Sequence, residues 1–203
     1  MRIVGTGSEV EMVASFLVGE LSSERFGPTI ARILATGGQS KTLLTNPNLS
    51  DPEENEQRRQ VLGDFRGYRQ NRELFTGFPD EVSWQHVLLS PAELLGVLYI
   101  DYSYWTALTS GTRRPADAAR FVRRGGLVFG HMPTGHFLAV ADCLRQGVTW
   151  EPIICVRAGD HHPLVVLEGH TRLTAMALAS DCLHDEVPVL LGTSAAISDW
   201  PCY

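Results

Sequence analysis

Residues 168 to 172, Glu-Gly-His-Thr-Arg, put a carboxylate, an imidazole, a hydroxyl and a guanidinium within one short stretch. Such a set can hold an anion and handle a proton, and a purely structural turn has little use for all of it. Gly169 would let the backbone approach a ligand closely. If a helix starts there, its free N–H groups and positive dipole end suit a phosphate. Arg172, in the first turn of that helix, adds a guanidinium fork for the same anion. Glu93 is a second carboxylate of interest, reached through Ser90-Pro91-Ala92. Ser90 as a cap and Pro91 at the first helical position begin a helix in the usual way, so Glu93 also has a plain reading as a partner of the helix dipole.

These residues need a strand, a sharp turn and a helix to position them. The apolar run Leu164 to Leu167 supplies the strand, and Leu173, Met176, Ala177 and Leu178 form the buried stripe of the helix. Ile153 to Val156 and Pro163 to Leu167 read as two short strands joined by Ala158-Gly159-Asp160, with Val187 to Leu191 as a last strand. Val82 to Leu89 reads as the strand that leads into Ser90. Helices are predicted over Glu9 to Leu21, with Ser8 and Glu11 as a capping box, and over Pro28 to Ala35, Pro115 to Val122 and Gly135 to Gln146. Thr45 to Asn55 is a polar loop. Beyond it Arg58, Arg59, Arg66, Arg69 and Arg72 could form a phosphate-facing cluster, but they alternate with Glu56, Asp64 and Glu73, a pattern that favours a solvated helix face. Tyr99, Tyr102, Tyr104 and Trp105 make a dense aromatic group, either core packing or a wall for a substrate or an adenine ring. The tail Asp199 to Tyr203 is too aromatic to be a free end and is expected to fold back.

Other stretches are less than they first suggest. The opening GTGS lacks the third glycine of a dinucleotide fingerprint, and the loop around Lys41 has Ala35 and Ser40 where a phosphate-binding loop requires glycines. His131 and His136 bracket a short turn without a carboxylate or cysteine beside them, which reads as polar helix-start chemistry rather than a metal pair. The four cysteines, at 143, 155, 182 and 202, follow no metal-ligand spacing, and Cys143 and Cys155 read as small buried hydrophobes.

The chain has 203 residues, 44% of them hydrophobic and 20% charged, which is ordinary for one globular domain with a substantial core. Its formal charge of −6 offers no footprint for nucleic acid. No signal-type or membrane-spanning run is visible, so a cytoplasmic protein without membrane partners is expected.

The segment from Trp150 to Leu191 resembles the core of the ParB/sulfiredoxin-like superfamily, which shares a strand, a G-x-x-R turn and a helix that bind a nucleotide's phosphates. The turn EGHTR looks like the DGHHR turn of the free serine kinases, Trp150-Glu151-Pro152 like their WKP segment, and Pro91-Ala92-Glu93 like their P-x-E element. The resemblance spans roughly Trp84 to Leu191. It implies an α+β fold with a small mixed sheet over 81–203 and an added N-terminal helical extension over 1–80. It implies a phosphotransferase moving a phosphoryl group from ATP or ADP, with Mg2+, to a small hydroxyl compound such as a serine-like amino acid. Glu93 and Glu168 would be catalytic, and Gly169, His170, Thr171 and Arg172 would hold phosphates. The sulfiredoxins carry a catalytic cysteine where His170 stands, which disfavours their activity. The chromosome-partitioning proteins carry a GERR turn that Thr171 and His170 do not match, and with the negative charge this disfavours DNA binding. Glu168 is one methylene longer than the kinases' Asp, and Thr171 replaces their second histidine, which leaves the acceptor open beyond serine. The alternative reading is a non-catalytic or NTP-hydrolysing nucleotide-binding module that senses a ligand or binds a protein partner.

Overall fold

A computed structural model describes residues 1–203 as a mixed α+β fold. Five strands form one sheet: β1 (Arg2–Thr6), β2 (Ser83–Leu89), β5 (Ile153–Arg157), β6 (Val165–Glu168) and β7 (Val187–Thr193). Their order is β1-β2-β7-β5-β6, with β7 parallel to β5 and every other neighbouring pair antiparallel. A separate two-stranded ribbon joins β3 (Leu127–Val128) to β4 (Met132–Pro133).

Side chains alternate across a strand, so this sheet has two apolar faces, and each is covered by helices. Over one face lie α1 (Glu9–Leu21), α2 (Gly27–Thr36), α3 (Thr42–Thr45) and α4 (Pro52–Arg66). There Met12, Phe16, Leu17, Ile30, Leu62 and Phe65 pack on Trp84, Ile154, Val156, Leu167 and Leu190. Over the other face lie α5 (Pro91–Leu94), α6 (Ser103–Leu108), α7 (Pro115–Arg123), α8 (His136–Arg145) and α9 (His170–Leu178). There Ala118, Val122, Phe137, Leu173 and Leu178 pack on Val87, Leu89, Ile153, Cys155, Val166 and Val189. Burying each such Leu, Ile, Val or Phe contributes about 1.5–3 kcal/mol, so both layers are integral to the fold.

That arrangement corrects the boundary expected at residue 80. Residues 2–6 are an edge strand of the main sheet, and the helices of residues 9–66 share one core with its central strands, so 1–80 is a layer of the same body. Local capping follows the sequence closely. Ser8 accepts from the Glu11 N–H at 3.2 Å to start α1, and Asp51 accepts from Glu53 and Glu54 to start α4. The tail folds back: Trp200 is buried and its Nε1 donates to the Leu74 carbonyl at 2.9 Å. No helix is long and apolar enough to cross a membrane.

The arginines between residues 58 and 72 are not a uniformly solvated face. Arg59, Arg69 and Arg72 do make surface ion pairs. Arg58, however, is buried, with its Nη atoms donating to the Leu43 and Asn48 carbonyls and pairing with Glu54. It ties α3 and the loop that follows it to α4.

Candidate functional site

The β6–α9 turn has the shape that its residues call for. The apolar strand ends at Glu168, Gly169 takes the left-handed conformation at φ 98°, and α9 begins at His170. A Cβ at position 169 would stand 2.6 Å from Ile153 Cγ2, so close packing on β5 excludes a side chain as well. No side chain caps α9. Its first internal bond runs from the Leu173 N–H to the Gly169 carbonyl at 2.8 Å, which leaves the N–H groups of the first turn, on His170, Thr171 and Arg172, outside the helical ladder.

Glu168 and Arg172, one helical turn apart, form a buried ion pair. Burial pushes the Glu168 carboxyl up, and the Arg172 guanidinium and the Gly169 N–H work against that rise. Arg172 also donates to the Glu151 carbonyl, which fastens the turn to the Trp150-Glu151-Pro152 segment ahead of β5. Helix α1 meets this pair directly, because a Cβ on Gly19 would lie 3.0 Å from Glu168 Oε1 and 3.1 Å from Arg172 Nη2.

Residues from both helical layers converge here. Glu20, at the end of α1, has its carboxyl pushed up to about 7 by burial and by the Glu168 charge, while Arg66, Arg172 and Arg25 pull it back. His170 is pushed down to about 3 by burial and by the charges of Arg66 and Arg172, so its ring is neutral near pH 7. Its imidazole stacks on Trp105, with centroids 4.9 Å apart, and Trp105 stacks in turn on Tyr99 at 4.7 Å. Tyr99 shares a 2.7 Å hydrogen bond with Thr174, which itself donates to the His170 carbonyl at 2.8 Å. The aromatic group therefore divides: Tyr99 is core, Trp105 backs the turn, Tyr104 packs edge-on against Trp105, and Tyr102 points outward, 54% exposed.

The structure brings together Glu168, Gly169, His170, Thr171 and Arg172, but not Glu93. Glu93 lies at the same end of the sheet, since Leu89 is in register with Val187 and Glu168 with Ile154. Yet β7 and β5 stand between β2 and β6, three strand spacings or roughly 14 Å. There Glu93 completes a capping box with Ser90 and pairs with the Met1 amine, contacts that hold its carboxyl down at about 2. Sequence reasoning missed Glu20 and Arg25, whose relation to the turn exists only in three dimensions, and weighed Arg66 only as one of a basic set. The one local signal was Gly19 beside Glu20, a small residue where a helix approaches something closely.

His131 lies exposed beside the β3–β4 ribbon and His136 begins α8 against Phe137. No group of three or more His, Cys, Asp or Glu side chains gathers to form a metal cage. Two surface clefts, of about 260 and 390 Å³, are lined by residues such as Leu98 and Arg114, and Thr29 and Gln60, and neither is lined by a residue of the turn. Comparison of the chain with protein-family models, with curated proteins and with solved structures gives no match.

Proposed function

We propose that the β6–α9 turn binds a nucleotide by its phosphates and that the chain transfers a phosphoryl group from ATP or ADP to the hydroxyl of a small molecule, such as a serine-like amino acid. The observation that carries this reading is the uncapped N-terminus of α9, with Gly169 in the left-handed conformation and N–H donors outside the helical ladder. The resemblance of EGHTR to the free serine kinase turn, within a ParB/sulfiredoxin-like core, supports the same reading.

Phosphoryl transfer is mostly positioning and charge neutralisation. The Glu168–Arg172 pair holds the turn in shape, the first-turn N–H groups face the phosphates, and the neutral His170 offers a further hydrogen bond. Glu20, whose carboxyl titrates near neutrality, is better matched to accepting the hydroxyl proton than Glu93, which is occupied by Ser90 and the chain's amine. Magnesium would come on the nucleotide's own phosphates, which supply much of its shell in such reactions.

The occupation of Glu93 also favours a second reading, a non-catalytic or NTP-hydrolysing nucleotide-binding module. Incubation with ATP or ADP, magnesium and a pool of amino acids and small alcohols, followed by mass spectrometry, separates the two. A new phosphoester supports the transferase. Nucleotide binding without a phosphorylated acceptor supports the module, and absence of binding overturns both.

A further inference from the structure

Gly19 stands in the last turn of α1 with helical backbone and no positive φ, so nothing in its own conformation calls for glycine. Alanine would favour the helix more. The reason for glycine lies across the layer. A Cβ at position 19 would stand 3.0 Å from Glu168 Oε1, 3.2 Å from Glu168 Cδ and 3.1 Å from Arg172 Nη2. A Cβ at Gly169 would meet the same Arg172 Nη2 at 3.2 Å. Two glycines from different elements, one on α1 and one at the mouth of α9, therefore leave room for a single guanidinium nitrogen.

That guanidinium is fully committed at the base of the turn. Nη2 pairs with Glu168, and Nη1 donates to the Glu151 carbonyl, with the Pro152 carbonyl at 3.5 Å. Both members of the pair are buried, Glu168 as the last residue of β6 and Arg172 in the first turn of α9. Arg172 also carries one of the backbone N–H groups that stand outside the helical ladder. A close-packed interior transmits a displacement instead of absorbing it. An atom added at position 19 would push on Glu168 and Arg172 together, and with them on the first turn of α9.

We infer that Gly19 is a positioning residue for the β6–α9 turn: by carrying no side chain it lets α1 close on the Glu168–Arg172 pair, and the pair fixes where the first-turn N–H groups of α9 point. This rests on the nucleotide reading of that turn, and it gives the N-terminal layer a part in the site without a contact to the ligand. Position 19 is also matched to the length of the carboxylate at position 168. Glu168→Asp removes one methylene and withdraws the carboxylate from the space that a Cβ at position 19 would need.

The test is calorimetry with ATP and inorganic tripolyphosphate, beside chemical denaturation, on the full chain, Gly19→Ala, Glu168→Asp and the double variant. Gly19→Ala is expected to weaken both ligands by about tenfold in the folded protein, a coupling within the range found for residues in contact. In its presence Glu168→Asp should cost less affinity than it costs the unmodified chain. A Gly19→Ala variant that gains stability, as helix propensity alone predicts, and binds both ligands at full affinity overturns the inference. Lost stability with unchanged affinity overturns it too, since Gly19 would then serve packing alone, and so do strictly additive effects of the two substitutions. Should Gly19→Ala fail to fold, the double variant decides: recovered folding and binding support the assignment, and no recovery overturns it. If the unmodified chain binds neither ATP nor tripolyphosphate, the nucleotide reading falls and this inference with it. If it binds both and Gly19→Ala binds equally well, only the role of Gly19 falls.

Discussion

Two strand-to-helix turns leave the same end of the sheet and solve the same problem in opposite ways. At the β2–α5 turn, Ser90 accepts from the Glu93 N–H and Glu93 accepts from the Ser90 N–H at 2.9 Å, so the side chains of the turn satisfy its own backbone. At the β6–α9 turn, Gly169 provides no cap, and the charged residues pair beneath the helix instead of across its mouth. The first turn is closed and the second is open. Both contain a glutamate that suggested catalysis, and the difference lies in whether the backbone donors are already in use.

The largest effect is expected from Arg172→Met. It leaves Glu168 buried without its counter-charge and frees the Trp150-Glu151-Pro152 segment, at a cost on the order of 3–5 kcal/mol. Chemical denaturation measures it, and a loss below about 1 kcal/mol would mean that the open turn does not depend on its ion pair.

A pH-dependent change is expected from Glu20→Gln. The folded Glu20 carboxyl titrates at about 7, above its ordinary value, so the native state binds the extra proton and Glu20 lowers stability as pH rises from about 4.5 to about 7. The amide cannot ionise, so the variant should gain on the unmodified chain across that window, by about 1–2 kcal/mol at pH 8 relative to pH 5 after allowance for solvent screening. His170 slopes the other way, because its depressed value favours the native state as pH rises through about 3 to 6.5. Parallel curves for the two proteins would remove Glu20 from the charged cluster.

The smallest effect is expected at the closed turn. Ser90→Ala should cost about 1 kcal/mol of stability, the usual worth of a cap, and leave nucleotide affinity unchanged. Weakened binding by calorimetry in a folded variant would erase the distinction between the turns.

Much of this local structure is legible in the sequence because it is written in neighbouring residues. Ser8 with Glu11, Ser90 with Glu93, and the change from strand to helix period around Gly169 all act over three or four positions. The strand at Arg2–Thr6 was not legible, because Ile3 and Val4 are 55% and 50% exposed and so give no alternation of buried and open positions. Arg66 belongs to a basic set open to a phosphate-facing or a solvated reading, and its charged neighbours in the chain favoured the second. What distinguishes it is a buried Nε over the rings of Phe26 and Phe65, the former some forty residues earlier in the chain. The aromatic group was open to two readings because stacking on a ligand ring and packing in the core demand the same residue types.

The position of β7 has a consequence for how the chain is made. The last strand in sequence is the central one in space, and it alone links the β1–β2 pair to the β5–β6 pair. Until Val187–Thr193 emerges from the ribosome, the sheet can exist only as two fragments, each presenting an unpaired backbone edge on β2 and on β5. Such edges recruit other strands, and their closure depends on contacts distant in sequence, which are slow to form. The nascent sheet is therefore most vulnerable to misassociation between the emergence of β6 and that of β7, and a chaperone that shields those edges would act within that interval.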